Sequence, residues 1–414
     1  MRATIAIVGC LDTKGDELAY VRDLIRSSGH DTWIIDTGII GEPALPADTS
    51  REEVAIAGGS TLEVLRARND RGEAVSVMAS GAAAIVRRLW AASRIDAVFA
   101  AGGSANTTIG SQAMRVLPVG FPKMLVSTLA SGNVAPYVDT KDITLMYSVV
   151  DIAGINRISA RVLANAASAV VAMATESKRM SATHVGSRPL VAATMFGVTT
   201  PCVNAARSIL EAAGYEVLVF HATGTGGRAM EGLIDDGYIA GVLDITTTEL
   251  ADELVGGVLS AGPSRLTAAG RAGIPQVVST GAVDMVNFGP LESVPERFRG
   301  RRLHAHNSTI TLMRTTPEEC AEIGARIASR LNAATGPVRI LLPLRGVSSI
   351  AVAGGVFHDA AADERCFQSI RDRAQSGIPV VDVDADINAP AFARASAEAL
   401  LELLRAASNA PSPP

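Results

Sequence analysis

The sequence is poor in aromatic residues, charged residues and cysteine. Aromatic residues make up 4% of the chain and charged residues 19%, whereas hydrophobic residues reach 48%. A core of this composition must be built from Ala, Val, Ile and Leu, as is typical of layered α/β proteins. The four cysteines are widely scattered and form no CxxC pair, which argues against a zinc site or a redox dithiol. We therefore expect reduced thiols in a cytoplasmic protein.

Positive charge is also scarce. The formal net charge is -5, so electrostatics favours neither a nucleic acid nor an anionic membrane as a partner. The apolar segment Thr4–Val8 is too short for a secretory signal, and no other apolar run looks long enough to span a bilayer. We expect a cytoplasmic protein without a membrane segment, in which any anionic ligand is held by local groups.

The length of 414 residues exceeds one ordinary core and favours two α/β domains. A helix-to-strand pattern at Leu24–Ile35 is repeated at Ile209–Phe220, and the polar stretch Thr175–Arg188 lies between the two. We predict an N-terminal α/β domain at 1–180, a C-terminal Rossmann-like domain at 181–408 and a disordered tail at 409–414. Both domains should be three-layer αβα structures with mainly parallel sheets, with a cleft between them. Strands are predicted at Thr4–Val8, Thr32–Asp36, Ala97–Ala101, Lys123–Ser127, Ile143–Tyr147, Leu190–Ala193, Ile239–Asp244, Gln276–Ser279, Arg339–Leu342 and Val380–Val383.

A glycine-rich turn follows the strand at Ala97–Ala101. Gly102 and Gly103 permit close approach of a ligand, and Ser104 and Thr107 place hydroxyl groups beside the free N–H groups that open the next helix. Anions are favoured at such a position. The alternative is that the two glycines only make a tight turn between strand and helix.

The loop after the first strand carries charged side chains. Asp12, Thr13 and Lys14 should lie beyond the carboxyl end of that strand, where open α/β sheets bind ligands. Lys14 could meet a phosphate as a point charge, and Asp12 could hold Mg²⁺ directly or through water. Ordinary solvated turn residues would give the same pattern.

The second half contains a possible dinucleotide fingerprint. Gly224, Gly226 and Ala229 match GxGxxA, and Asp244 lies about twenty residues later, where such folds place a ribose-binding acid. However, the motif follows the second strand of its domain rather than the first, and Arg228 is better suited to a terminal phosphate. Phosphate binding and a purely structural turn both remain open. The candidate segment comprises Gly224, Thr225, Gly226, Gly227 and Arg228.

Further polar loops follow other strands of the second half and suggest a cleft for a polar, phosphorylated ligand, although helix caps explain some of the hydroxyl groups. His304 and His306 lack a third spaced ligand, so we predict no metal site in the protein itself. There is no Walker A sequence, GxSxG elbow or kinase motif set, and no catalytic residue is identifiable. The loop candidates are Thr246, Thr247, Thr248, Gly281, Arg345, Gly346 and Ser348.

Several longer motifs together resemble one family over nearly the whole chain. The motifs are Gly9–Glu17, Gly102–Thr108, Met195–Cys202, Gly224–Arg228 and Leu312–Glu319. On these motifs, the chain is similar to the Tm-one-like ATP-binding domain family, bacterial and fungal proteins related to the N-terminal part of the tomato mosaic virus resistance protein. The resemblance implies two Rossmann-like subdomains, ATP binding and a homodimer, with no settled reaction. Plant relatives carry a further TIM-barrel domain, which suggests a separate TIM-barrel protein as a partner.

These observations favour a cytosolic protein that binds ATP with Mg²⁺, and an enzyme acting on a small carboxylate or sugar acid is the first reading. A non-catalytic interaction protein gated by nucleotide is the alternative. A third hypothesis is an NAD-dependent enzyme that uses the Gly224 motif.

The predicted domain boundary can be tested by brief proteolysis. Because the stretch Thr175–Arg188 is polar and lacks strong periodicity, we expect the first cuts there, and electrophoresis should show two folded fragments. First cuts mainly within Val75–Trp90 would contradict the boundary.

Overall fold

A computed structural model describes residues 2–181 and 188–408. The chain divides into two compact units, Met1–Gly186 and Ser187–Pro414. Both units are α/β structures built on a parallel sheet. The predicted fold class, Rossmann-like α/β with mainly parallel sheets, is therefore confirmed, while the predicted boundaries and the cleft stay predictions.

The first unit alternates strands and helices. Its central sheet has the order β2-β1-β3-β4-β5, and every pairing is parallel. The elements in chain order are β1 (Thr4–Gly9), α1 (Gly15–Ser27), β2 (Asp31–Asp36), α2 (Arg51–Ala57), α3 (Leu62–Arg68), α4 (Arg71–Ala91), β3 (Ala97–Gly102), α5 (Ser104–Arg115), β4 (Lys123–Ser127), α6 (Ala135–Val138), β5 (Thr144–Tyr147) and α7 (Arg157–Ser181).

Apolar side chains alternate between the two faces of this sheet. Ile5 and Ile7 of β1 pack with α1 and α7 on one face, whereas Ala6 and Val8 pack with α2, α4 and α5 on the other. Strands buried on both faces need continuous apolar runs, which explains why they were visible in the sequence. The two helical layers leave the carboxyl edge of the sheet for the loops that carry polar residues.

The second unit has a larger parallel sheet of order β14-β13-β9-β8-β6-β7 and a separate antiparallel sheet of order β10-β12-β11. The elements are β6 (Leu190–Met195), α8 (Thr200–Ala212), β7 (Glu216–His221), α9 (Thr225–Asp235), β8 (Ile239–Thr246), α10 (Glu249–Val255), α11 (Ala268–Ala272), β9 (Gln276–Gly281), β10 (Met285–Phe288), β11 (Leu303–Asn307), β12 (Ile310–Arg314), α12 (Pro317–Asn332), β13 (Val338–Pro343), α13 (Ala360–Arg373), β14 (Val380–Val383) and α14 (Pro390–Ser408).

Every predicted strand is present, but two features differ from the sequence-based expectation. The antiparallel sheet was missed because β11 is a largely exposed edge strand without apolar alternation. Helix α7 continues to Ser181, so half of the predicted boundary stretch Thr175–Arg188 is helical. The rest of that stretch up to residue 187, and the tail at 409–414, lie outside the described residues.

We expected no stretch long enough to span a membrane. Judged by length and composition alone, this expectation is wrong. Within the described residues, two helices, Arg71–Ala91 and Arg157–Met180, are long and apolar enough to cross a membrane, with 50% and 33% of their most apolar windows buried. Core helices of soluble proteins pass the same test. Along α7, Arg161, Asn165 and Glu176 are exposed on one side, which is the pattern of a helix lying on a sheet.

Helix α4 packs tightly against α2 at a glycine. A Cβ atom placed on Gly81 would lie 1.9 Å from the carbonyl oxygen of Val54, and one on Gly58 would lie 2.1 Å from that of Val77. Such distances require displacement of backbone atoms, so the approach of the two helices depends on these glycines. In α9, by contrast, a Cβ atom on Gly232 would meet nothing within 4 Å.

We expect Gly81→Ala and Gly232→Ala to change stability in opposite directions. Gly81→Ala should destabilise the protein by about 1–3 kcal/mol because α2 must move, despite the higher helix propensity of alanine. Gly232→Ala, the matched control, should stabilise it by about 0.5–1 kcal/mol. Chemical and thermal unfolding measure both effects, and a stable Gly81→Ala variant would contradict the close approach.

Candidate functional site

The order of strands reverses once in each parallel sheet, and open α/β sheets bind ligands at that point. In the first unit the reversal lies between β1 and β3, and in the second between β6 and β8. The loops that follow β1 and β3 are the predicted segments at Asp12–Lys14 and Gly102–Ser104. The Gly224 motif instead follows β7, the edge strand of its sheet.

Helix α5 begins at the reversal point of the first unit with an open N-terminus. Gly103 is its N-cap, no side chain caps it, and its first turn contains no acidic residue. Ser104 is exposed, and a Cβ atom on Gly103 would meet only the Thr128 hydroxyl oxygen, at 3.9 Å. Thr107 is buried, its hydroxyl 2.7 Å from that of Ser127, so it joins α5 to β4. The helix start therefore keeps unpaired N–H groups beside accessible space.

The loop after β1 is tied to the first turn of α5. Cys10 Sγ lies 2.8 Å from Asn106 Oδ1, and the Asn106 amide donates to the carbonyl of Ala101 at 3.2 Å. Gly102, with φ +156°, has no room for a side chain, because a Cβ atom would lie 2.5 Å from that of Asn106. Burial raises the pKa of the Cys10 thiol to about 11, so it is protonated at neutral pH and is a poor nucleophile.

The charged residues of the β1 loop have partners within the protein. Asp12 accepts hydrogen bonds from the backbone N–H groups of Ile40 at 3.0 Å and Gly41 at 3.3 Å. Lys14 donates through Nζ to the carbonyl of Ile152. Thr13 is exposed. Helix α1, which follows this loop, carries Asp16 and Glu17 in its first turn, and these disfavour an anion there.

A buried ion pair beside this loop was not foreseen. Asp36 ends β2 and accepts from Arg51 Nε at 2.7 Å and from the N–H groups of Leu11 and Gly38. Arg51 also donates to the carbonyl of Gly41 at 2.5 Å, and its Nη2 is buried without a hydrogen-bond partner. The position of Asp36 at the end of a buried strand was the only sequence signal. Nothing in the sequence indicated that Arg51, fifteen residues later, would pair with it.

In the second unit, a carboxylate of the protein itself occupies the start of α9. Glu249 Oε1 accepts from the N–H groups of Gly224 at 2.7 Å and Gly227 at 3.1 Å. Cβ atoms on Gly226 and Gly227 would lie 1.8 Å from the carbonyl of His221 and 2.3 Å from Glu249. The lack of side chains at these two glycines therefore makes room for the protein's own carbonyl and carboxylate groups. Thr225 and Arg228 of the same motif are exposed.

The buried side chain of Arg265 links Glu249 to a second carboxylate, that of Asp244. Its guanidinium, only 1% exposed, contacts Glu249 at 2.5 Å and both oxygens of Asp244 at 2.6 and 2.7 Å. Asp244 also accepts from the Thr194 hydroxyl at 2.7 Å. Burial raises the pKa of the neighbouring Glu231 to about 7, although Arg265 opposes that shift. Both oxygens of Asp244, the predicted ribose acid, are thus bonded within the protein.

The remaining predicted loops of the second unit are mostly buried. Thr246 bonds to Thr194 and Thr199, and Thr247 donates to the carbonyl of Ser279 at 3.0 Å. The hydroxyl of Thr248 is buried without a partner. A Cβ atom on Gly281 would lie 2.3 Å from the carbonyl of Ile245. These residues therefore lie inside the protein, at the carboxyl edge of the sheet.

The predicted residues in the loop after β13 lie in different environments. Arg345 is exposed and pairs with Asp384, whereas Ser348 is buried and donates to Asp284 at 2.8 Å. A Cβ atom on Gly346, with φ +140°, would lie 3.0 Å from Val352. Burial raises the pKa of Asp284 to about 7 despite the nearby Arg314. Asp284 was not among the predicted site residues, because nothing in its local sequence marks it.

The structure thus brings Gly102, Gly103, Ser104 and the β1 loop together at one edge of the first unit. In the second unit it packs the Gly224 motif, Asp244 and Thr246 around Arg265. Among the described residues, no group of three or more His, Cys, Asp or Glu side chains could hold a metal ion.

Comparison with known proteins gives close relatives. The chain is 51% identical over 405 residues to a UPF0261 protein of Clostridium tetani, covering 98% of this chain and 100% of the relative. It is 39% identical to the ToMV resistance protein Tm-1(GCR237) of Solanum lycopersicum, covering 96% of this chain and 55% of the tomato protein. Among solved structures, UDP-N-acetylglucosamine 2-epimerase from Rickettsia bellii matches 98% of this chain and 97% of its own at 8% identity, but its TM-score of 0.23 supports no inference.

Family models match both units. The N-terminal domain of the uncharacterised protein family UPF0261 matches residues 3–179, and the C-terminal domain of the same family matches residues 188–404. Together with the relatives above, these matches show that the chain belongs to the UPF0261 family.

Proposed function

We propose that this chain is a cytosolic ATP-binding protein whose phosphate site is the start of α5 in the first unit. The observation that carries the proposal is that α5 begins at the strand reversal with no side-chain cap and an exposed Ser104. Phosphate oxygens would accept from the N–H groups of this first turn, and the helix dipole favours their charge.

Comparison of the two glycine-rich helix starts favours α5 over α9. Both have a glycine N-cap and a hydroxyl residue at the first helical position. At α9 the carboxylate of Glu249 already accepts from the N–H groups of Gly224 and Gly227, and Arg265 balances its charge. An incoming phosphate would have to displace a buried ion pair, which is strongly unfavourable. At α5 no side chain caps the helix start, and its first turn contains no acidic residue.

The carboxylates at the ends of two strands argue against a dinucleotide as the ligand. A ribose-binding acid of an NAD site must present its carboxylate to the ribose hydroxyl groups, but Asp36 and Asp244 are only 2% and 1% exposed. In the first unit, both oxygens of Asp36 accept from Arg51, Leu11 or Gly38. In the second, both oxygens of Asp244 accept from Arg265 or Thr194. This favours ATP, bound chiefly through its phosphates, over NAD.

The proposal includes Mg²⁺ as part of the ligand. Mg²⁺ is usually held by substrate phosphates, water and one or two carboxylates rather than by a protein cage. The carboxylates of the β1 loop and β2 already have partners, and the Cys10 thiol is protonated at neutral pH. We therefore propose nucleotide binding as the core function. Chemistry on a small carboxylate or sugar acid remains a proposal, with a non-catalytic interaction protein gated by nucleotide as the alternative. The family resemblance is the source of two further proposals, a homodimer and a separate TIM-barrel protein as a partner.

A charge placed at each helix start separates the two candidate sites. Ser104→Glu should weaken ATP binding by about tenfold or more, because the new carboxylate competes for the N–H groups and repels phosphate. Ser104→Gln, of the same size without the charge, should weaken it far less. Thr225→Glu, at the equivalent exposed position of α9, should leave affinity within about twofold. Isothermal titration calorimetry with ATP and Mg²⁺ measures all three, and loss of binding only in Thr225→Glu would move the site to the Gly224 motif.

Ligand-dependent stability provides the test of nucleotide type. ATP with Mg²⁺ at about a hundred times its dissociation constant should stabilise the fold by about 2.7 kcal/mol, and NAD at the same concentration should do much less. Thermal unfolding measured with each ligand compares them. A larger shift with NAD would favour the dinucleotide hypothesis.

A further inference from the structure

A short segment lies between β5 and α7 in the chain and also contacts the start of α1, and we call its residues 148–154 the rim segment. At one end, Ser148 donates its N–H to the carbonyl of Ser127, the last residue of β4, at 3.2 Å. At the other end, Lys14 donates to the carbonyl of Ile152, and Glu17 accepts from the N–H of Gly154 at 2.7 Å. The segment is therefore held at both ends by side chains or strands of the first unit.

The sheet order determines the course of the rim segment. Three strand spacings separate β5 from β1, which is about 14 Å. The four steps from Ser148 to Ile152 span at most about 14 Å when extended, and the long side chain of Lys14 supplies the rest of the reach to Ile152. The rim segment therefore runs from the end of β4, where Ser148 is bonded, to the start of α1. The end of β3, where α5 begins, lies between these two points in the sheet order.

Val149, within this segment, has an unusual backbone conformation. Its φ is +66°, in the left-handed region that β-branched residues avoid, and its side chain is 60% exposed. Two contacts hold the turn: Ser148 Oγ donates to the carbonyl of Val150 at 2.7 Å, and the N–H of Val150 donates to the carbonyl of Ser148 at 2.7 Å. A strained residue that contributes little to the core suggests a role outside stability.

Neighbouring groups connect Val149 with the start of α5. Thr128 donates its N–H to the carbonyl of Gly102 at 3.3 Å, and its hydroxyl oxygen is the atom nearest to a Cβ on Gly103. Ser148 is bonded to the residue before Thr128. Tyr147, the last residue of β5, is 42% exposed. Tyr147 is aligned through Ser127 with Gly102, so it stands two strand spacings, about 10 Å, from the open helix start.

We infer that Tyr147 and Val149 form a subsite for the nucleobase of the ligand whose phosphates bind at α5. This inference rests on the proposed function and adds the position of the uncharged end of the nucleotide. A ligand with an anionic end and a flat apolar end matches an edge that presents N–H groups at β3 and apolar side chains at β5. Lys14 then serves to hold the rim segment in place rather than to bind phosphate.

Val149→Gly tests the inference, because glycine removes both the side chain and the strain. The variant should unfold at a higher temperature than the wild type, yet bind ATP with Mg²⁺ about five- to tenfold more weakly. Its affinity for tripolyphosphate, which lacks the nucleoside, should be unchanged. Ser93→Gly is the matched control: Ser93 is exposed, has φ +52° and lies in the turn before β3, at the opposite edge of the sheet. It should gain stability and leave both affinities unchanged.

The other outcomes distinguish a failure of the nucleobase subsite from a failure of the phosphate site. If Val149→Gly binds ATP as well as the wild type while Ser104→Glu still weakens it, the subsite is overturned and the phosphate site stands. Equal weakening of ATP and tripolyphosphate also overturns the subsite, because Val149 would then act only on the shape of the edge. If the wild type binds neither ligand, both proposals fall. Size-exclusion chromatography of Val149→Gly reports whether Val149 instead lies in a contact between copies of the chain, which would likewise overturn the subsite.

Discussion

Backbone N–H groups at the starts of helices dominate the polar chemistry of both units. Each helix that follows a strand of a parallel sheet brings several unpaired N–H groups to the same edge, and these groups must find an acceptor. The chain supplies its own acceptor at α9, where Glu249 bonds to Gly224 and Gly227. It supplies a capping box at α2 and another at α12. At α5 no side chain does so, which leaves that helix start for water or an anionic ligand.

The charges behind these helix starts explain why the two units differ. In the second unit, Arg265 is surrounded by Asp244, Glu249 and Glu231, so removing one partner would leave a buried charge without compensation. That network holds the carboxylate of Glu249 in place at the start of α9. In the first unit, the Asp36–Arg51 pair lies beside the β1 loop rather than under α5. The same βα pattern is therefore closed by an internal carboxylate in one unit and left open in the other.

The proposed site lies in the part of the chain that both relatives share. The bacterial relative from Clostridium tetani matches over its full length, whereas the tomato resistance protein continues well beyond the matched 55%. The α5 start and the rim segment both lie within the region matched by the N-terminal family model, residues 3–179.

The sequence by itself determined the local elements. Apolar runs predicted the strands, and the glycines after β3 and β7 indicated strand-to-helix turns. Ser50 and Thr316, each three residues before a glutamate, form the capping boxes of α2 and α12. These features depend on residues a few positions apart, so a local pattern is enough. The exposed edge strand β11 and the last turns of α7 escaped because their residues lack a strong apolar period.

Only the tertiary structure decided which glycine turn is open. Gly102–Ser104 and Gly224–Thr225 look alike in sequence, and the second is the better match to a known fingerprint. The difference arises from Glu249, more than twenty residues after the Gly224 motif, and from Arg265, sixteen residues further on. Likewise, Val149 became notable only through its backbone angle and its place between Ser127 and Lys14. Folding brings distant charges and strand ends together, and a linear pattern carries no record of those distances.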